Sequence, residues 1–331
     1  MSPDLGDVVV RARGLALHLL SQRVIEQLAR SAGSGALAGA LQLAGYPTAS
    51  TADQEPGRVA ERIDEDIERE IARRLGVLAR WLGRRRAEAF AGVFEDEQRR
   101  ALREALRRLS AGLRPAASSG DWALSRRLRG ALASAREPVE LARVLTRAGS
   151  PYGPPLEAAI RRHGADLRRS EDALDRTWAR RAVVAARQRG GRLREWVAEG
   201  IDLENAWAAL LQGGGEFLEG GVWLSRERHA AIAADPDARA RRRRLASALG
   251  DLGRTVLGDP ERPLAALEAR ALNARIGREQ RRARAEPLGA APILWVVLRL
   301  RRERADLRRV NAGVGLGLSA AEIAAQLSEA A

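Results

Sequence analysis

The densest group of possible metal ligands is the acidic run at residues 61–70, ERIDEDIERE, which holds six acidic residues and two arginines. Carboxylates bind a hard cation such as Mg²⁺ when they converge on one point. On a helix these side chains spread around the axis, and arginines at positions 62, 69, 73 and 74 lie three or four residues from an acid. We therefore predict a solvated face of ion pairs and no metal site.

Other residues with chemical potential are scattered. His18, His163 and His229 lie far apart without the spacing of a zinc site, and the chain has no cysteine. The segment GVGLG at 313–317 has no following Lys-Ser/Thr and no preceding strand, so it is not a phosphate loop; we predict that it ends a helix. The sequence predicts no catalytic residue, cofactor or metal, and therefore no enzyme.

Arginine dominates the charge of the chain. All 57 basic residues are arginine, and against 43 acidic residues they give a formal net charge of +14. An excess of this size attracts anionic surfaces such as nucleic acid, lipid headgroups or acidic proteins. It is also what a GC-rich genome produces without any selection for binding. Composition leaves both explanations open.

The clearest element is a basic amphipathic helix at residues 292–311. Its run of six apolar residues, 293–298, is far shorter than the ~20 residues that span a bilayer. One side carries an apolar stripe of Ile293, Val297, Leu300, Leu307 and Val310. Arg304 falls near the stripe and needs either an acidic partner or a path for its guanidinium to reach water. Arg299, Arg302 and Arg308 lie on other sides, and we predict that they bind a partner.

The rest of the chain is also helical. Alanine, leucine, arginine and glutamate are abundant, and all four favour helices. A second stripe recurs every four residues at Val59, Ile63, Ile67, Ile71 and Leu75. Segments rich in glycine and proline separate the helices at 45–58, 112–121, 149–155, 212–221, 258–263 and 286–292. We predict an all-α fold of roughly a dozen helices.

Several features recur at one spacing. Tyr46 and Tyr152 are 106 residues apart, as are Pro154 and Pro260. Asp96 and Asp202 show the same separation, and we expect each to precede the last helix of its segment. This pattern predicts three pseudo-repeats of about 105 residues, at 1–115, 116–215 and 216–331. Within the second repeat we interpret Asp202 as a helix N-cap, with Asn205 one turn further on.

Short motifs in this order resemble those of one protein family. VRARGLALHLLS places Arg11 and Arg13 before a pair of leucines, and ALDRTW contains Asp175 within the pattern Leu-Asp-Arg. GIDLEN supplies Asp202 and Asn205 at the spacing Asp-x-x-Asn. Near the end, a glutamate and a Leu-Arg pair in ERADLR are followed by a glycine turn and a short last helix. In this set the chain resembles the rotor component of V-type and A-type ATPases, known as the C subunit in bacteria and archaea and the d subunit in eukaryotes.

The resemblance implies a specific role. The family is a funnel of three helical repeats, a non-catalytic rotor component that couples the central stalk of the catalytic head to the membrane proteolipid ring, for ion transport or ATP synthesis. Its expected partners are the stalk subunits and the ring; no nucleic acid is expected. The start of the chain lacks the basic region of a signal peptide. We expect a peripheral protein at the cytoplasmic face of the membrane.

Two other classes of protein remain as alternatives. An arginine-rich helical protein that binds nucleic acid would explain the net charge and the tetrad RRRR at 241–244. Acidic residues are interspersed throughout, however, and no recognition-helix motif is present. A helical enzyme of the prenyl-transferring type ranks last, because paired aspartate motifs are missing.

Overall fold

The chain is an all-α protein, as predicted. A computed structural model describes residues 5–48, 55–115, 130, 132, 134–187, 191–210, 214–259 and 263–329. The described residues are 79% helical and contain no strand. The predicted interruptions agree with the helix ends where they fall within those ranges, because glycine and proline end helices.

The described part of the chain forms fifteen helices, which we number in order. They are α1 (Gly6–Leu17), α2 (Gln22–Leu28), α3 (Ser34–Leu43), α4 (Pro56–Ala89), α5 (Ala91–Ser110), α6 (Pro138–Arg147), α7 (Gly153–His163), α8 (Leu167–Arg187), α9 (Gly191–Leu210), α10 (Arg226–Ala233), α11 (Ala238–Ala248), α12 (Gly250–Leu257), α13 (Leu264–Ala285), α14 (Ala291–Gly315) and α15 (Ala320–Glu329).

Contacts within the chain divide it into two compact units. Among the described residues, the central unit lies within 82–259, and the terminal unit combines those within 5–81 with 263–329. Helix α4 runs across the boundary, and its helical geometry is interrupted nearby at Gly83, where φ is 65°. Glycine has no Cβ and adopts this left-handed conformation readily. The three repeats at 1–115, 116–215 and 216–331 stay a prediction.

The core of the terminal unit forms around α14. The predicted apolar stripes of α4 and α14 are both buried throughout, which confirms that they are core faces. Helices α1, α2, α3, α13 and α15 pack against α14. The helix ends at Gly315, and Gly317 takes φ 70° while the amide of Leu318 donates to the carbonyl of Gly313 at 2.9 Å. This C-terminal turn confirms that the glycine segment ends the helix.

In the central unit, α5 packs along α8, and α8 also contacts α7 and α9. Helix α5 approaches α9 closely at Gly92, where a Cβ would lie 2.9 Å from Val197 of α9. The carbonyl of Gly92 accepts a hydrogen bond from Trp178 Nε1 at 3.1 Å. Asp96 and Asp202 lie inside α5 and α9, so the prediction that each precedes a final helix is wrong.

Candidate functional site

The predicted partner-binding arginines of α14 are half-buried and contact their own chain. The guanidinium of Arg299 lies 5.3 Å from the ring centroid of Trp295, and burial lowers the pKa of Arg299. Arg302 donates from Nε to Asp306 Oδ2 at 2.9 Å and also contacts the side-chain oxygen of Asn273. The proposed binding surface is therefore partly occupied by intramolecular contacts.

The acidic run of α4 faces the same helix. Arg308 lies 3.8 Å from Asp64 and 3.6 Å from Glu68, and its side chain is 39% exposed. Arg304 lies 3.7 Å from Glu68, so of the two predicted alternatives it has the acidic partner. Charge complementarity between the negative run and the basic helix thus joins α4 to α14 within one unit.

Two acids of this run are buried, so the predicted solvated face is wrong for them. Asp66 is 1% exposed and Glu70 is 3% exposed. The predicted pairing is nevertheless present, because Arg69 binds Asp66 and Arg73 donates to Glu70 at 2.7 Å. Paired charges tolerate burial that an isolated carboxylate does not. Among the described residues, no group of acids or histidines is placed to hold a metal ion.

A buried carboxylate, Glu303, connects four segments of the terminal unit. Its Oε1 accepts a hydrogen bond from the hydroxyl of Tyr46 at 2.5 Å and another from Arg74 Nη1 at 2.8 Å. Its Oε2 accepts from the backbone amide of Leu20 at 2.7 Å. Arg74 also donates to Glu70 at 2.7 Å. We call these residues the Glu303 centre; it ties the chain after α1 and after α3 to helices α4 and α14.

Burial governs the protonation of the Glu303 centre. It raises the pKa of Glu303, although donation from Tyr46 and the positive charge of Arg74 act in the opposite direction. Burial and the negative charge of Glu303 together hold the pKa of Tyr46 well above its usual value. The hydroxyl therefore keeps its proton and serves as a hydrogen-bond donor.

The central unit has a comparable centre built on a cation. Arg99 is 1% exposed, and its guanidinium donates to Asp96, Asp175 and Glu204, each at 2.6 Å. The same guanidinium lies 4.5 Å from the ring centroid of Trp178. These residues form the Arg99 centre, which joins α5, α8 and α9. A cation over an aromatic face gains further electrostatic attraction.

The carboxylates of the Arg99 centre differ in pKa. Burial opposes ionisation of Glu204, but Arg99, Arg100 and Arg103 outweigh it and lower its pKa to about 2. Burial prevails at Asp175 and raises its pKa in spite of Arg99 and Arg103. The fold thus stabilises the charge of Glu204 far more than that of Asp175.

Asp202 and Asn205 hold a loop rather than cap a helix, so the N-cap interpretation is wrong. Both lie inside α9 and are fully buried. Asp202 accepts hydrogen bonds from the backbone amides of residues 222–224, at 2.7, 3.0 and 3.1 Å. Asn205 exchanges two hydrogen bonds with the backbone of Leu218, at 2.8 and 2.9 Å. The Asp-x-x-Asn spacing places both side chains on the face that meets this loop.

Comparison with protein-family models identifies the relationship. The model for the ATP synthase (C/AC39) subunit matches residues 8–326. The chain belongs to this family. The resemblance to the C or d subunits of V-type and A-type ATPases is thereby confirmed. No curated protein gives a significant match.

In this family member the motif residues have distinct environments. Arg13 of α1 lies near the end of α13, where its guanidinium is 3.4 Å from the carbonyl of Pro287 and 3.5 Å from that of Ala283. Arg11 is exposed on the same helix. Asp175 belongs to the Arg99 centre. Arg11 thus belongs to the terminal unit and Asp175 to the central unit.

Sequence reasoning missed the residues that complete the two centres: Tyr46, Glu70, Arg74, Arg99 and Glu204. One sequence feature could have identified Tyr46: the chain has only two tyrosines, and they lie 106 residues apart at corresponding positions of the predicted repeats. Both are buried, and the hydroxyl of Tyr152 lies 3.4 Å from the carbonyl of Glu95. A tyrosine hydroxyl that becomes buried usually finds a hydrogen-bond partner, so both residues were candidates for such contacts.

The arginine tetrad of the nucleic-acid alternative contacts the turn before α11. Arg241 donates to the carbonyl of Asp235 at 2.6 Å, and Arg244 donates to its carboxylate at 3.3 Å. Arg243 lies 3.9 Å from Asp237. These local contacts reduce the charge that the tetrad offers to a phosphate backbone. Across the described helices, none is long and apolar enough to cross a membrane.

Proposed function

We propose that this chain is a non-catalytic rotor subunit, which couples the central stalk of a V/A-type ATPase to its membrane proteolipid ring. The family match over residues 8–326 carries this proposal, because it assigns the chain to a subunit of an ATPase complex. Transport of ions or synthesis of ATP would then depend on the chain as a mechanical link, with its catalytic and ion-binding residues supplied by other subunits.

A mechanical link requires stiff units, and the two buried centres supply cross-links of the right kind. The Glu303 centre fixes four segments of the terminal unit, and the Arg99 centre fixes three long helices of the central unit. Removing one partner of a buried ion pair costs about 3–5 kcal/mol, and leaving a buried donor without its acceptor costs about 1–3 kcal/mol. Each centre therefore resists local opening. This rigidity supports a role in torque transmission.

The order of helices supports the proposal of three repeats arranged as a funnel. Short helices followed by two long ones occur in α2–α5, again in α6–α9 and again in α10–α14. Three acids inside long helices, Asp96, Asp202 and Asp306, are all buried. We propose that the repeats are 1–115, 116–215 and 216–331.

Assembly follows from the same role. The partners would be the central-stalk subunits and the proteolipid ring, with the chain attached peripherally at the cytoplasmic face of the membrane. Arg299, Arg302 and Arg308 remain the proposed contact residues of α14. Their intramolecular contacts imply that a partner would share these cations with Asp306 and Glu68 rather than meet free charges.

Affinity purification tests this function. A tagged copy of the chain, recovered from detergent-solubilised native membranes, is expected to bring with it the stalk subunits and the proteolipid ring. The proposal fails if neither is recovered. Tight binding of random DNA with a steep salt dependence would instead favour the nucleic-acid alternative, since released counterions give such a slope.

A further inference from the structure

A small apolar cavity opens at the surface of the central unit. It encloses about 160 Å³ and lies between the end of α8, the middle of α9 and the loop before α10. Val183, Val197 and Val222 contribute apolar walls, and Arg187 and Arg194 also line it. A cavity of about 150 Å³ accommodates a benzene ring. This one therefore suits a single large side chain, whereas cofactor pockets enclose about 300–1,000 Å³.

One wall of the cavity is held rigidly. Asp202 accepts hydrogen bonds from the backbone amides of residues 222–224, and a Cβ on Gly221 would collide with the same carboxylate. Gly220 has φ 111°, and a Cβ there would collide with Val183. The loop consequently lies directly on α8 and α9. Val222 is 74% exposed, yet its backbone is fixed before any partner arrives, which lowers the entropy cost of binding.

The charge at the cavity is positive and available. Arg187 and Arg194 are exposed, and neither forms an ion pair with another residue in the described ranges. The acids next to them along α9 are already paired, because Arg192 lies 2.8 Å from Glu195 and 3.3 Å from Glu199. An approaching carboxylate would therefore meet two cations without competition from these neighbours.

We propose that this cavity docks an acidic segment of a protein partner. One large apolar side chain of the segment fills the cavity against Val183, Val197 and Val222, and flanking carboxylates bind Arg187 and Arg194. The enclosed apolar volume favours a side chain over a phosphate backbone or lipid headgroups, which would use the cations alone. The inference rests on the proposed function, since we place the partner among the other subunits of the ATPase.

A photo-crosslink identifies the occupant directly. The variant Val222→p-benzoylphenylalanine is irradiated within the assembled ATPase, and the attached product is mapped by mass spectrometry. We expect a peptide with a large apolar residue flanked by aspartate or glutamate. The matched control carries the probe at Arg162, an exposed residue of α7 outside the cavity, and should not give that product. A crosslink to lipid, to nucleic acid or to a neutral or basic segment overturns the proposal, as does the absence of any product.

Charge reversal separates this inference from the proposed function. The double variant Arg187→Glu/Arg194→Glu is compared with Arg161→Glu/Arg162→Glu, which changes the net charge equally at exposed residues of α7. We expect the cavity variant to lose at least tenfold more of the crosslinked partner than the control, with unchanged helical content in both. Equal recovery by the two variants overturns the docking proposal and leaves the rotor function standing. If the wild-type chain recovers no ATPase subunit, both fail.

Discussion

The two buried centres solve the same structural problem with opposite charges. In the central unit, Arg99 lies at the middle and carboxylates surround it; in the terminal unit, Glu303 lies at the middle and donors surround it. An arginine keeps its charge at every accessible pH, whereas a buried glutamate can neutralise itself by taking up a proton. The Arg99 centre therefore depends on charge, whereas the Glu303 centre depends mainly on hydrogen bonds.

The pKa values of Glu204 and Glu303 differ in the way that this contrast between the two centres predicts. The pKa of Glu204 is lowered to about 2, so the fold favours its ionised form. The pKa of Glu303 is raised, so the fold disfavours its ionised form even though three donors contact it. Two glutamates that look equally charged in the sequence therefore make opposite electrostatic contributions to stability.

The largest expected effect is at the centre of the cation cluster. Arg99→Leu leaves Asp96, Asp175 and Glu204 without their shared partner, which should lower the free energy of unfolding by about 3–5 kcal/mol. Urea unfolding followed by circular dichroism measures the change. Arg107→Leu is the control, because that side chain is 57% exposed and an exposed pair contributes at most about 1 kcal/mol. Equal losses for the two variants would mean that Arg99 is not the structural centre.

Replacing Glu204 or Glu303 by glutamine tests whether one centre depends on charge and the other on hydrogen bonds. At neutral pH, Glu204→Gln should lower the free energy of unfolding by on the order of 3 kcal/mol, because it removes a charge that the fold stabilises. Glu303→Gln should cost less, about 1–2 kcal/mol, because the fold disfavours the charge that it removes. The loss is not zero, since the new amide group replaces one of the two acceptor oxygens with a donor. Chemical denaturation of both variants in one buffer gives the comparison. The reverse order would break the distinction between the centres.

Lowering the pH should change the stability contributions of Glu204 and Glu303 in opposite directions. A lowered pKa gives Glu204 a contribution that is fully present above its ordinary pKa of 4.5 and is lost as the pH falls towards about 2. A raised pKa gives Glu303 a contribution that is present below 4.5 and is lost as the pH rises through its folded-state pKa. Stability differences between the wild type and each Gln variant, measured from pH 7 to pH 3, should therefore change in opposite directions. Parallel curves would contradict the assignment.

The smallest expected effect concerns the surface of α14. Arg308→Gln should change the free energy of unfolding by less than about 1 kcal/mol, because its pairs are long and partly exposed. Arg302→Gln should cost more, since its partner Asp306 is 1% exposed. If Arg308 also binds a partner, its variant will weaken assembly while leaving stability nearly unchanged. Normal assembly of both variants at every salt concentration would place the partner surface elsewhere.

Periodicity in the sequence predicted the helices and their apolar faces because those depend on local spacing. Ile67 and Val297 recur within stripes that define a core side without knowledge of any other helix. The buried polar residues were not accessible in the same way. The family motif marked Glu303, but its contact with Tyr46 spans 257 positions, and nothing local predicted that it is buried or which donors it meets.

The spacing of motifs identified important residues, but it did not show what their side chains bind. Asp202 and Asn205 stood out, yet the interpretation as an N-cap failed because the loop that they bind lies 13–22 residues further along the chain. Arg99 gave no sign at all, since it sits in an ordinary Arg-Arg pair. Its burial results from three helices that bring carboxylates together, which only tertiary structure determines.

The most direct test of the rotor function measures coupling in membranes. With the chain deleted, the catalytic head should still hydrolyse ATP while ATP-driven ion transport into vesicles is lost, and adding back the purified chain should restore transport. The ratio of ions moved to ATP hydrolysed is the quantity to follow. An unchanged ratio in the deleted membranes would contradict the account, because a rotor link between stalk and ring would then be unnecessary.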